Sequence, residues 1–144
     1  MVEFEKGIVA EIRKFYEGDK PIEEAPLEEQ FEKFAELLML SEEAKTECPE
    51  LFYWQGMCEE FGIGVPPELA ADAVKSYKKG AKAGNADAQY RLSQLYASGT
   101  SGVEKNLMVA LGWARKAAAQ GHADAKAFLQ EQKTIEKSKV SLDY

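Results

Sequence analysis

The sequence predicts an all-α protein, a short right-handed α-solenoid of helix-turn-helix units with about seven helices. Three observations predict it. A block repeats at a fixed offset: Gly84-Asn85-Ala86-Asp87-Ala88 returns as Gly121-His122-Ala123-Asp124-Ala125, 37 residues on. At the same offset Ala73, Lys79, Ala81 and Leu92 meet Ala110, Lys116, Ala118 and Leu129, while Tyr53 and Gly62 meet Tyr90 and Gly99. Apolar residues within a unit recur at i, i+4, i+7 and i+8, the period of an amphipathic helix. Glycines fall where such helices must stop and reverse. Two helical patterns per unit at this period are the mark of stacked helix pairs.

Residues 1–48 read as a degenerate first unit. Phe4, Ile8, Ile12 and Phe15 define a helix that stops at Gly18-Asp19-Lys20-Pro21. An acidic connection over residues 18–26, extended by its two prolines, leads to a second helix starting near Pro26 or Leu27. That helix is expected to bury Leu27, Phe31, Phe34, Ala35 and Leu38. Residues 49–84 and 85–121 are the full repeats. In the second repeat, Ala88, Leu92, Leu95 and Tyr96 form the apolar stripe of one helix, and Gly99 and Gly102 turn the chain. The following helix is expected to bury Leu107, Ala110, Leu111, Ala114, Ala117 and Ala118. Its alanines, with Gly80 and Ala81 one unit earlier, allow close approach between helices. Gly84 and Gly121 close the second helices, Asn85 is placed to cap the next one, and Asp87 and Asp124 sit in first turns where the helix dipole favours negative charge. Residues 122–132 form a capping helix and residues 133–144 a polar tail.

The 144 residues, 45% apolar and 30% charged, suit one globular domain. The start Met1-Val2-Glu3-Phe4-Glu5-Lys6 is acidic where a signal peptide is basic, and no apolar run is long enough to span a membrane. A cytoplasmic protein is therefore expected, with export by a signal-independent route left open. Charge is divided unevenly. Residues 1–60 hold 17 acidic against 6 basic side chains, net −11, and residues 61–144 hold 8 against 12, net +4. Such an acidic first part repels phosphates and argues against nucleic acid. The later basic residues fall at helical spacings and read as a solvated face. Cys48 and Cys58 would sit about 15 Å apart on one helix, so reduced thiols are expected. Pro49 leaves a fold-back bridge open.

With these residues in place, the chain resembles the Sel-one-like repeat (SLR) family, relatives of tetratricopeptide repeats. The resemblance rests on Ala88-Gln89-Tyr90-Arg91-Leu92, Leu95-Tyr96, Gly99, Gly102-Val103, Ala110, Trp113, Lys116-Ala117-Ala118 and Gly121. The preceding unit joins through Tyr53, Gly56-Met57, Gly62-Ile63-Gly64-Val65, Ala73, Tyr77, Lys79 and Gly84. Three positions depart from the family pattern: Glu59 and Ala114 stand where it has tyrosine, and Ser93 where it has glycine. The resemblance implies an adaptor or scaffold that holds other macromolecules on the inner surface of a solenoid. Many such proteins are bacterial. Some cysteine-rich relatives have been linked to β-lactam binding, but their cysteines recur in each repeat, and Cys48 and Cys58 do not.

Helical geometry places a candidate binding strip on the first helix of each repeat. Opposite the core stripe of residues 86–98 lie Asp87, Tyr90, Gln94 and Ala97, and one repeat earlier Tyr53, Met57 and Glu60, with Trp54 and Arg91 on the flank. Stacking brings Tyr53, Trp54, Met57, Glu60, Tyr90, Arg91 and Gln94 together as the expected partner-binding face, since Tyr, Trp, Arg and Met are enriched at recognition surfaces. No nucleophile elbow, phosphate loop or zinc-protease motif occurs. His122, the single histidine, takes a helix-start position and is expected to cap that helix or simply to be exposed. Two thiols and one histidine do not make an ordinary zinc site. The expectation is a non-enzymatic module without cofactor or metal, binding a protein or peptide, with neither nucleic acid nor membrane as partner, and monomeric with dimerisation left open. Two alternatives stand beside it: an inhibitor, immunity-type or effector protein meeting a basic partner through its acidic N-terminal part, and a hydrolase or small-ligand protein. Leu92→Ala or Leu95→Ala should destabilise the fold by about 2–5 kcal/mol in chemical denaturation, because each opens a cavity between helices.

Overall fold

The computed structural model describes residues 1–67 and 72–142, with side chains through residue 139. Eight α-helices and one 3-10 turn follow one another among these residues. They are α1 (Glu3–Tyr16), α2 (Leu27–Met39), α3 (Glu42–Glu47), α4 (Glu50–Phe61), α5 (Ala73–Lys82), α6 (Ala86–Ser98), α7 (Leu107–Ala119) and α8 (Ala123–Leu142). The turn, Ile22–Glu24, lies in the connection before α2. From α4 onward each helix packs mainly against its neighbours in sequence, the pattern of a solenoid.

The boundaries follow from capping chemistry. The Asn85 side chain accepts from the Ala88 N–H at 2.8 Å, as expected, and Asn106 does the same for α7 through Val109 at 3.1 Å. Asp72 caps α5 and Ser41 caps α3. Helices α4 and α6 end in left-handed residues at Gly62 and Gly99. Gly64, also at φ +70°, has a second reason to lack a side chain: a Cβ there would stand 2.3 Å from the Gln30 carbonyl oxygen. That close approach locks the turn after α4 onto α2.

Two apolar cores share α4. The N-terminal one joins Ile12 of α1, Phe34 and Leu37 of α2, Ala44 of α3, and Leu51, Trp54 and Cys58 of α4. The second joins Val74, Tyr77 and Ala81 of α5 to Ala88, Leu92 and Leu95 of α6, with Trp113 of α7 against it. Small residues set the spacing here, as their positions implied. A Cβ on Gly80 would meet Phe52 and Ala88 at 3.1 Å, and a Cβ on Gly56 would lie 2.8 Å from the Tyr77 ring. One repeat on, the equivalents of Gly56 and Tyr77 are Ser93 and Ala114, both fully buried. The two departures from the repeat pattern are thus complementary: the larger residue moves from one helix to the other.

Several sequence-based expectations change. Helix α3 is an additional element, short and amphipathic, that buries Ala44 and Lys45. In α2 the buried face is Gln30, Phe34 and Leu37, while Leu27, Phe31, Ala35 and Leu38 face solvent. Two apolar stripes overlap on that helix, and periodicity does not choose between them. Gln30 does: its amide donates to the Ala25 carbonyl at 2.8 Å and the Glu23 carbonyl at 3.2 Å, pinning that side inward. Phe4 is exposed, and Ile12 and Val9 carry the α1 contact. In α7, Ala110, Ala114 and Ala117 are buried, Leu111 and Ala118 are half-buried, and Leu107 is exposed. Helix α8 continues to Leu142 through the segment read as a polar tail, since nothing from Lys133 onward breaks a helix. Both cysteines are free thiols.

The Gly56–Tyr77 contact can be tested by a cycle. Gly56→Ala should destabilise the protein by about 1–3 kcal/mol despite its gain in helix propensity. On a Tyr77→Ala background the same change should be neutral or stabilising, giving a coupling of about 1–3 kcal/mol in denaturation experiments.

Candidate functional site

The first helices of the repeats, α4 and α6, and the start of α8 enclose a groove of about 280 Å³. Tyr53, Met57 and Phe61 line it from α4, Asp87, Tyr90 and Arg91 from α6, and His122 and Asp124 from the opening of α8, with Tyr77 at its floor. These positions come into line because Tyr53 and Tyr90, and likewise Asp87 and Asp124, are separated by one repeat.

Beneath the groove lies an ionic and hydrogen-bonded network. Arg91 Nε donates to Glu60 Oε1 at 2.8 Å, and its Nη2 reaches the other carboxylate oxygen, a bidentate pair. The Tyr77 hydroxyl donates to the same Glu60 Oε1 at 2.7 Å. Burial pushes the Glu60 carboxyl up, but the bonds from Arg91 and Tyr77 outweigh it and hold the group below the usual glutamate range. Burial, and then the Glu60 bond, raises the Tyr77 phenol. The Arg91 guanidinium also lies 5.5 Å from the Phe61 ring centroid.

At the far wall, His122 Nε2 lies 3.0 Å from Asp87 Oδ1, and Nδ1 accepts from the Ala125 N–H at 3.2 Å. The second contact makes His122 the N-cap of α8, in the register of Asn85 before α6, and requires the proton on Nε2. Its ring stacks on Tyr90 with centroids 4.8 Å apart. Burial and then the Asp87 charge raise the Tyr53 phenol, while burial and then Asp124 raise that of Tyr90. Both phenols therefore remain protonated donors at neutral pH.

Of the expected strip, Tyr53, Met57, Tyr90 and Arg91 share the groove. Glu60 lies beneath it as the partner of Arg91. Gln94 is outside the lining and bonds Ser93. Trp54 departs from the expectation: it is buried in the N-terminal core, stacked on Tyr16 at 5.4 Å. One residue along α4 turns the side chain by about 100°, from the groove to the interior. Phe61, Tyr77, His122 and Asp124 also line the groove without having been singled out for it. Tyr77 reaches it from a second helix, and His122 from the next unit, so helix-face geometry within one segment does not reveal either.

A larger concavity of about 640 Å³ lies beside the α1–α2 connection, lined by Glu11, Lys14, Phe15, Glu29 and Lys33 among others. Its charges alternate in sign and no aromatic pair converges there. Among the described residues, no group of three His, Cys, Asp or Glu side chains could hold a metal ion, and no helix is long and apolar enough to cross a membrane.

Residues 53–85 and 86–122 each match the model of the Sel1 repeat. The chain thus carries two Sel1 repeats, formed by α4–α5 and α6–α7. The solved structure of a Sel1 repeat protein from Oxalobacter formigenes is similar, with a TM-score of 0.65 and 29% sequence identity over 83% of this chain. The chain spans 42% of that structure's length. No curated protein matches it. Sel1-repeat proteins generally act as protein-interaction scaffolds.

Because Glu60 is held in its ionised form, its network contributes stability above the usual glutamate range and loses it as pH falls through the lowered value. Glu60→Gln should cost about 1–3 kcal/mol at neutral pH, discounted for the part-exposed Arg91. The variant should also show a shallower fall in melting temperature below about pH 4 than the unaltered protein.

Proposed function

We propose that this chain is a non-enzymatic interaction scaffold that takes a segment of a partner protein along the α4–α6–α8 groove. The observation that carries the reading is the convergence of Tyr53, Met57, Tyr90 and Arg91, from two repeats, in one concave strip. Aromatic and methionine side chains offer contact area at low conformational cost, and a preformed groove spares the cost of ordering it.

The charges favour a particular partner chemistry. Arg91 is neutralised by Glu60, whereas Asp87 and Asp124 stand exposed at the rim beside Tyr53 and Tyr90. A lysine or arginine of the partner would meet carboxylates and ring faces together. Phosphate backbones would be repelled from the same rim, which supports a protein partner over nucleic acid. The non-enzymatic reading is supported by His122, whose two ring nitrogens are both engaged in holding α8 and Asp87.

Selection of a random peptide display library on the purified chain tests this. The enriched peptides should carry Lys or Arg beside an apolar residue. Their affinity should fall at least about tenfold for Tyr90→Ala combined with Asp124→Asn. Enrichment of peptides without basic residues, or of peptides that bind the variant equally well, would remove the groove as the site.

A further inference from the structure

We propose that copies of this chain dock head to tail, with α2 of one copy lying in the open groove between α7 and α8 of the next. The groove holds about 430 Å³ and is lined by Leu107, Leu111 and Arg115 from α7 and by Leu129, Lys133 and Ile135 from α8, among others. Leu107 and Ile135 are 44% and 41% exposed. The repeat itself says what shape fits there. Helix α8 stands one repeat after α6, and the equivalent groove between α5 and α6 receives α7, whose Trp113 packs on the α5–α6 core. The berth between α7 and α8 is therefore a seat for a helix.

Helix α2 has the required length and face. It is 13 residues long, as is α7. Leu27, Phe31 and Leu38 fall within about 40° of one another around its axis. They are 60%, 37% and 39% exposed, an apolar stripe that the protein's own core leaves uncovered. The charges are opposite in sign. Helix α2 carries four glutamates against one lysine, with Glu28 and Glu32 exposed. The groove presents Arg115, Lys133 and Lys139 against Glu136. Seating α2 there covers both exposed apolar surfaces and pairs an acidic helix with a basic groove. Such a contact joins two different surfaces, so it propagates instead of closing at a dimer.

Sedimentation velocity on the 144-residue chain tests the proposal, using two variants at partly exposed positions whose folding is checked by circular dichroism. One carries Leu27→Lys with Phe31→Lys; the other carries Lys133→Glu with Ile135→Glu. The unaltered chain should grow in average mass with concentration up to about 1 mM without a plateau at dimer. About 0.5 M salt should reverse the growth. Each variant alone should stay monomeric. An equimolar mixture should form a complex capped at two copies, because only one intact stripe and one intact groove remain to pair. A monomer at every concentration overturns the proposal. So does a plateau at dimer, or assembly that survives in either variant, or a mixture that stays monomeric while the unaltered chain assembles.

Discussion

The contact of the Tyr77 ring with Gly56 sets the geometry on which the rest of the repeat array depends. Glycine at that position lets α5 approach α4 until the ring covers the helix backbone. Tyr77 then has its hydroxyl within reach of Glu60, and Glu60 in turn holds Arg91 of α6. Three helices are fixed by one side chain and its partners. The arrangement joins apolar close packing to a charge pair in which both Glu60 carboxylate oxygens are engaged, the condition under which a partly buried carboxylate is tolerated. The next repeat solves the same packing problem with Ser93 and Ala114, without a polar chain of this kind.

Helix α4 links the two halves of the molecule. Its Trp54 and Cys58 face the N-terminal core, and its Gly56 and Tyr53 face the second. The N-terminal unit is held to it by apolar contact and by the pairing of Arg13 with Glu50, while Lys79 of α5 reaches Glu42 of α3 at 3.1 Å. These ion pairs are largely exposed and contribute little each, so the shared apolar core carries most of the coupling between the units. Lys45 is the unusual member. It is buried with its amine on the Gln55 amide oxygen at 3.0 Å, and burial lowers its pKa.

The groove inherits its character from this frame. Tyr53 and Tyr90 project from consecutive first helices at the repeat spacing, while the network below consumes the charge of Arg91 and leaves Asp87 and Asp124 to set the sign of the rim. His122 closes the wall because the same residue that caps α8 stacks on Tyr90. A structural requirement of the solenoid thus shapes the surface proposed for recognition.

The sequence by itself determined the architecture: the 37-residue offset, the glycines after the helices of the two repeats and the caps at Asn85 and His122 are local, periodic features whose consequences do not depend on distant contacts. The groove's tyrosines, Met57 and Arg91 were legible for the same reason, since repeat spacing carries one helix face onto the next. Tertiary structure decided the phase of α2, where two stripes of equal period compete and the buried Gln30 amide with the Gly64 contact selects one. It also decided the fate of Trp54, whose side of α4 was fixed only when α1 supplied Tyr16 to stack on it. Periodicity records which residues share a face; which face is buried depends on what arrives from elsewhere in the chain.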